Sequence, residues 1–560
     1  MESNDKRTHN VFFNLHTVSG IAISVGLFVI FLAGAFALFL EDINHWEKNK
    51  QHADHHYVAV DYDRILDSVA TTDYELYDRT FFFYADSENC YISVNAQPVP
   101  ADSTEKDSSI LALSGPIALN FDMDTYQKVE SKEREEGIGD FLYHLHYFEP
   151  IPVVGIYIAG LVAVFFLLAI VTGIWVHWKK IVSNFYTFRL KGSLKNLWTD
   201  AHTALGVIGL PFQLMYAVTG ALFGLTILIF APSMMILFDG DQEKMTSYVF
   251  PPYTPYEVTG ELTTDDKQLS VNSVVDQYLS QFDRNDIHFV TLALQNYGDK
   301  NAHATVMVDS EAERSFYSNA YAIFRLSDGQ IVREKPMDVN PHNESVVNFV
   351  HLIHFGNYGG YLIKILYFLL AIITCFVIIS GVMVWLEARD KKKYAAKQRF
   401  NTNVGAIYLG ACMGLYPAIA FLFCVTKILP LEMDSRMTAV TGSFFVFWLA
   451  YTVYAYFSKN YFHINRNALF AAGGLGLLIP ILNGLQAGNW FWVAIAKGYS
   501  NSAFVDISWI LLAVITLVTA WNIRPTTKPK DRQKVTRKRM ALESPIVLPT
   551  EMPVVQAKVE

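Results

Sequence analysis

Charge and cysteine are both scarce in this sequence. Only 17% of its 560 residues are charged and 52% are hydrophobic, which excludes an ordinary soluble globular chain. The four cysteines are Cys90, Cys375, Cys412 and Cys424. Three of them fall in long apolar runs and none forms a CxxC pair, so neither a disulfide framework nor a thiol metal or redox pair is expected. No phosphate-cradling loop is present, which argues against ATP-driven transport. Gly473, Gly474 and Gly476 lie inside an apolar run rather than between a strand and a helix, so they make no dinucleotide fingerprint. Nothing marks a nucleic-acid partner.

What is abundant is apolar length. A helix crossing a bilayer needs roughly 20 apolar residues, and eight segments qualify: about 11–40, 151–178, 201–231, 360–386, 403–427, 438–457, 467–487 and 503–522. The first is too long for a signal peptide and lacks a small-residue cleavage site. Lys and Arg gather in 179–200, in 387–400 and after Trp521, all on one side of an eight-span arrangement together with Lys6 and Arg7. Excess positive charge marks the cytoplasmic side. Both termini are therefore expected inside, and the acidic connections 41–150 and 232–359 outside.

Two of the apolar runs repeat each other. His16-Thr17 matches His202-Thr203, Gly20 matches Gly206, and Gly34-Ala35 matches Gly220-Ala221, all at fixed offsets from the histidine. The runs that follow the outer connections match as well: Gly173 lies 27 residues after His146, and Gly381 lies 27 after His354. The expectation is a duplicated four-helix core. Each outer connection carries an amphipathic helix, as in 271–279, followed by alternating strands, so each reads as an α+β domain. The last four spans have no such echo and read as an appended four-helix unit.

The histidines carry the chemistry. Ionisable groups inside a membrane are costly and normally face a bundle interior with a partner. Imidazole is a common ligand of haem iron, and facing helices are a usual place for a cofactor. If the halves are related by an axis along the membrane normal, His16 faces His202 near the cytoplasmic side and His146 faces His354 near the outer side. The expectation is two b-type haems, each gripped by two histidines. The glycines beside them leave room for a ring or for close helix packing. His144, His351 and His177 are further candidates, as alternative ligands, as donors to the ligands or as partners of haem propionates. His45, His52, His55 and His56 form a cluster outside the first span, either a transient metal site or a solvated juxtamembrane helix.

The motifs HTxxG…GA, LHYF and LIHFGNYGG, with helix-plus-strand exterior domains between them, resemble the PepSY-associated transmembrane proteins over about residues 10–390. Within that family the chain looks like the inner-membrane ferric-siderophore reductases. The resemblance implies an α-helical polytopic protein of the bacterial cytoplasmic membrane with two periplasmic PepSY-like α+β domains. It also implies two b-type haems on span-end histidines such as His16, His146, His202 and His354.

The resulting plan has an N-terminus and first span at 1–40, a first periplasmic domain at 41–143, and spans two and three at 144–231. A second periplasmic domain follows at 232–350, the fourth span at 351–390, the appended unit at 391–522 and a basic cytoplasmic tail at 523–560. The expected function is a haem-dependent oxidoreductase that reduces a periplasmic ferric siderophore or other ferric chelate during iron uptake. Its electrons would come from a separate cytoplasmic reductase or a membrane quinol. The rival readings are a non-redox periplasmic binding or sensory membrane protein and a siderophore permease.

Overall fold

The computed structural model describes residues 2–49, 58–70, 79–86, 91–96, 117–129, 136–178, 194–261, 268–310, 319–337, 339, 341–389, 397–431 and 433–525. Among these, seven helices are long and apolar enough to cross a membrane, and a bent pair makes an eighth if counted as one span. The chain is a polytopic membrane protein.

Helix α1 (Glu2–Ala37) runs unbroken through the first apolar segment. A tight break leads into the short polar helix α2 (Leu40–Lys48). The first outer connection then gives α3 (Tyr62–Ala70) and strands β1 (Thr80–Asp86), β2 (Tyr91–Ala96), β3 (Ile117–Asp122) and β4 (Lys128–Val129). The chain returns through α4 (Ile138–His146) and α5 (Gly155–His177).

The third apolar segment departs from the expected single span. It splits into α6 (Leu194–Ile208) and α7 (Leu210–Gly224), bent by 71°, and continues as the shorter α8 (Thr226–Leu237). Pro211 lacks an N–H and its ring crowds the carbonyl four residues back, which favours a break at the start of α7. The matching stretch of α1 has no proline and continues as one helix.

The second outer connection supplies α9 (Gln242–Val249), α10 (Val271–Leu279) and strands β5 (Ile287–Gln295), β6 (His303–Ser310), β7 (Asn319–Arg325) and β8 (Ile331–Lys335). The strands of the two connections do not form two sheets. They make one antiparallel eight-stranded sheet in the order β4-β3-β2-β1-β5-β6-β7-β8, joined where Phe81 faces Leu294 and Phe83 faces Leu292. Side chains alternate across a sheet. One face therefore buries Phe81, Phe83, Val94, Leu292, Val306 and Phe324 against the apolar sides of α3 and α10. These two helices also bond to each other: Asp63 Oδ1 accepts from Val271 N at 2.9 Å, and Asn272 Oδ1 accepts from Tyr62 N at 2.8 Å.

Helix α11 (His342–Phe355) leads into α12 (Gly360–Arg389). The last four apolar segments are α13 (Gln398–Ile428), α14 (Arg436–Ser458), α15 (Tyr461–Ala487) and α17 (Ser500–Asn522), with the short α16 (Phe491–Lys497) before the last. Helix α13 is the centre of this unit and packs against α14 and α15. Of the four histidines expected to cluster outside the first span, the described residues include His45, which is not solvated. His45 is buried, with Nδ1 2.9 Å from Asn501 Nδ2 of α17, while His52, His55 and His56 lie outside the described residues.

Because β1 and β5 close one sheet, the two connections are expected to unfold together. Phe83→Ala removes a fully buried ring and should cost roughly 3–5 kcal/mol. Limited proteolysis of the variant should open both 58–129 and 268–337. Cleavage confined to the first stretch would contradict the shared sheet.

Candidate functional site

Four histidines meet in two pairs inside the bundle. His16 of α1 and His202 of α6 have ring centroids 6.1 Å apart, with the planes at 67°. His146, the last residue of α4, and His354, near the end of α11, have centroids 6.2 Å apart, with the planes at 57°. The pairs sit at two levels along one helix. His16 lies on α1, and the α1 carbonyl that holds His146 belongs to Ile30, 14 residues on. That is about 21 Å of helix rise.

Each imidazole is anchored through Nδ1. His16 Nδ1 donates to Ala169 O at 2.8 Å, and His146 Nδ1 donates to Ile30 O at 2.7 Å. His202 Nδ1 donates to Val377 O at 2.9 Å, with Ser380 Oγ at 3.2 Å. His354 Nδ1 lies 2.8 Å from Thr219 Oγ1, which is also 2.8 Å from Met215 O. A carbonyl oxygen only accepts, and a hydroxyl whose proton is spent also accepts. The rings of His16, His146 and His202 therefore carry their proton on Nδ1, which leaves Nε2 with its lone pair, and the ring of His354 does the same when Thr219 gives its proton to Met215 O. Histidines that bind metals are oriented in this way.

The anchors recur at equal offsets. Ala169 lies 23 residues after His146, and Val377 lies 23 after His354. Gly173 and Gly381 are the seats of the rings: a Cβ on either would stand 3.0 Å from Cε1 of His16 or His202 respectively. Gly34 does the same for His146, where a Cβ would come within 2.5 Å of Nδ1. The outer pair is less regular. The position matching Ile30 is Tyr216, which turns its hydroxyl back onto His354 O at 2.7 Å.

The first pair borders a cavity of about 590 Å³ lined by Gly173, Gly381, Phe166 and Gln213 together with both histidines. This is within the size range of small-molecule sites, roughly 300–1,000 Å³. His177, Lys195 and Arg389 line it too. Aromatic rings fill the interior between the pairs. Phe166 packs on Phe31 at 5.5 Å, Phe31 on Tyr216 at 6.1 Å, and Tyr216 on His354 at 4.9 Å. Phe212 lies against Phe31, Tyr216 and Tyr367.

The remaining candidates lie around the pairs, His351 sharing Phe223 with His354 at 5.0 and 4.9 Å. His144 turns to carboxylates, 3.0 Å from Glu149 and 3.7 Å from Glu136. His351 is exposed and stacks on Phe355 at 5.1 Å. His177 stays with the first pair as part of its cavity wall. The backbone acceptors and Thr219 were beyond the sequence reading. Carbonyls leave no residue signature, and Thr219 has an alanine at the matching position of α1, Ala33.

Two imidazoles alone make a poor site for a bare metal ion. Among the described residues, no three His, Cys, Asp or Glu side chains gather to hold one. The spacing of the two rings in each pair is that of two imidazoles on one metal that brings its own planar ligand. An imidazole nitrogen lies about 1.1 Å from its ring centroid and a metal–imidazole bond is about 2 Å. Two rings on opposite faces of one metal would then have centroids roughly 6 Å apart.

Gly34→Ala is expected to push His146 off Ile30 O. Nitrogen NMR of ring-labelled histidine should then show a changed Nδ1 for His146 alone. Four unchanged rings would contradict the seat.

Comparison with curated proteins gives no match. The model of a protein family described as the PepSY-associated TM region matches residues 13–388, from just before His16 to the end of α12, and stops short of α13. The chain belongs to the PepSY-associated transmembrane family.

Proposed function

We propose that this protein is a di-haem oxidoreductase of the bacterial cytoplasmic membrane that delivers electrons to a ferric siderophore or other ferric chelate on the sheet side. The observation that carries this reading is the spacing of the two histidine pairs, with every Nδ1 spent on an oxygen. His16 and His202 would hold one b-type haem, and His146 and His354 the other. Each haem, when bound, supplies a one-electron redox centre. Reduction from Fe(III) to Fe(II) softens the metal and loosens its hard oxygen donors, which frees iron from its chelator.

The protein's own groups do the rest. The Nδ1 anchors fix each ring and raise the basicity of Nε2. Phe31, Phe166, Phe212 and Tyr216 keep water and lipid out of the space between the pairs. Lys195 and Arg389 put positive charge on the wall of the first cavity, beside His177, where carboxylate side arms of a macrocycle would be neutralised. The equal offsets of Ala169 and Val377, and of Gly173 and Gly381, support a duplicated core with an axis along the bundle. The basic ends of the helices, opposite the sheet, support cytoplasmic termini and a periplasmic sheet. The electron donor is then a cytoplasmic reductase or a membrane quinol, and the sheet with its two helices is the part that meets the ferric complex.

The purified protein should show a visible spectrum with sharp α bands on reduction. His202→Ala or His146→Ala should each remove about half of the haem, and the double variant nearly all. The reduced protein should lose its bands on addition of a ferric chelate as Fe(II) appears. Colourless protein from haem-replete cells, or unchanged haem in both single variants, would contradict the assignment.

A further inference from the structure

The helices beyond the family match have no histidine pair, yet they grip the first half of the chain through buried charge. Helix α2 is polar in sequence but lies inside: Trp46 is fully buried and Glu47 is 1% exposed. Three helices of the appended unit hold it. Lys427 of α13 donates to Trp46 O at 2.6 Å, Glu47 O at 3.2 Å and Asn49 Oδ1 at 3.0 Å. It thereby satisfies carbonyls that the end of a helix leaves open. Asp506 of α17 accepts from Trp46 Nε1 at 2.8 Å. Arg436, the first residue of α14, donates to Glu47 Oε1 at 2.5 Å and to Thr426 O at 2.8 Å.

Glu47 passes the grip on. Its other oxygen, Oε2, accepts from Ile138 N at 2.6 Å, at the start of α4. Beside it, Asn44 Oδ1 accepts from Gly139 N at 2.9 Å and Asn44 Nδ2 donates to Asp140 Oδ2 at 2.7 Å. Helix α2 therefore caps α4, with an anion where the helix N-terminus favours one. The approach is so close that a side chain on Gly137 would collide with Asn44 and Glu47. Helix α14 also touches α4 directly, with Phe444 and Phe445 edge-on to Phe141 at 5.3 and 5.9 Å. Helix α4 ends at His146, eight residues and about 12 Å beyond Ile138.

We propose that the appended four-helix unit is the mount of the sheet-side histidine pair, and that Arg436 is a positioning residue which holds His146 through Glu47 and α4. The proposal rests on the two-haem reading for its redox consequence and on the α2–α4 contacts for its structural one. Breaking a buried ion pair leaves an uncompensated charge. Loss of the Arg436 guanidinium therefore frees α4 while leaving the His16–His202 pair untouched, since no residue of α13 to α17 bonds to either of those rings or to their Nδ1 acceptors among the described residues.

The test uses full-length protein carrying Arg436→Gln, with Arg436→Lys as the conservative rescue and Phe444→Leu as a second variant should the first not fold. Amide exchange across 138–146 should rise on the order of tenfold or more, with α1 unchanged. In a redox titration, the step abolished by His146→Ala should shift or vanish, while the step abolished by His202→Ala stays in place. Arg436→Lys should move both readouts back toward wild type. Unchanged exchange in α4, or equal shifts of both redox steps, would overturn the proposal. Wild-type protein without haem would overturn the functional reading instead, and exchange in α4 would still decide whether Arg436 holds that helix.

Discussion

A histidine ring has two nitrogens, and in this protein one of them is already committed. Each of the four paired imidazoles has its Nδ1 hydrogen-bonded to an interior oxygen on a neighbouring helix. An unpaired N–H in an apolar bundle is costly, so the ring, its tautomer and the two helices are fixed together. That constraint explains the glycines. Gly34, Gly173 and Gly381 stand where the ring must lie against the helix that anchors it, and a Cβ there would occupy the space of the ring. It also bears on the pairing: with Nδ1 tied back on both members, each ring is left with Nε2 to offer to a shared ligand.

The rest of the chain can be read as support for that geometry. Helices α1, α5, α6 and α12 supply the ring and acceptor of the first pair. Helices α1, α4, α7 and α11 supply those of the second. The sheet is one continuous layer because β1 and β5 pair across the two connections. The appended helices answer a different need. Helix α4 is only nine residues long and too short to be stable alone, so its start must be tied down from outside.

Much of the site was legible because polar residues in apolar helices are conspicuous and the repeat fixed their partners. His16 with His202 and His146 with His354 follow from offsets alone. What could not be read were groups with no sequence signature. The acceptors of three rings are backbone carbonyls, and Thr219 breaks the repeat. The 71° bend between α6 and α7 was signalled by Pro211, but the apolar run on both sides masked it. The joining of the strands into one sheet depends on contacts more than 200 residues apart, such as Phe83 with Leu292. The polar stretch at 41–48 reads as leaving the membrane for water, yet Trp46 and Glu47 are buried because Lys427, Arg436 and Asp506 lie far along the chain.

Electron paramagnetic resonance of the oxidised full-length protein tests the central claim most directly, since it reports the axial ligands of each iron. Two imidazoles on every iron predict two low-spin ferric signals of equal intensity and no high-spin signal. A dominant high-spin signal, or protein free of iron, would show that the paired histidines do not share a metal.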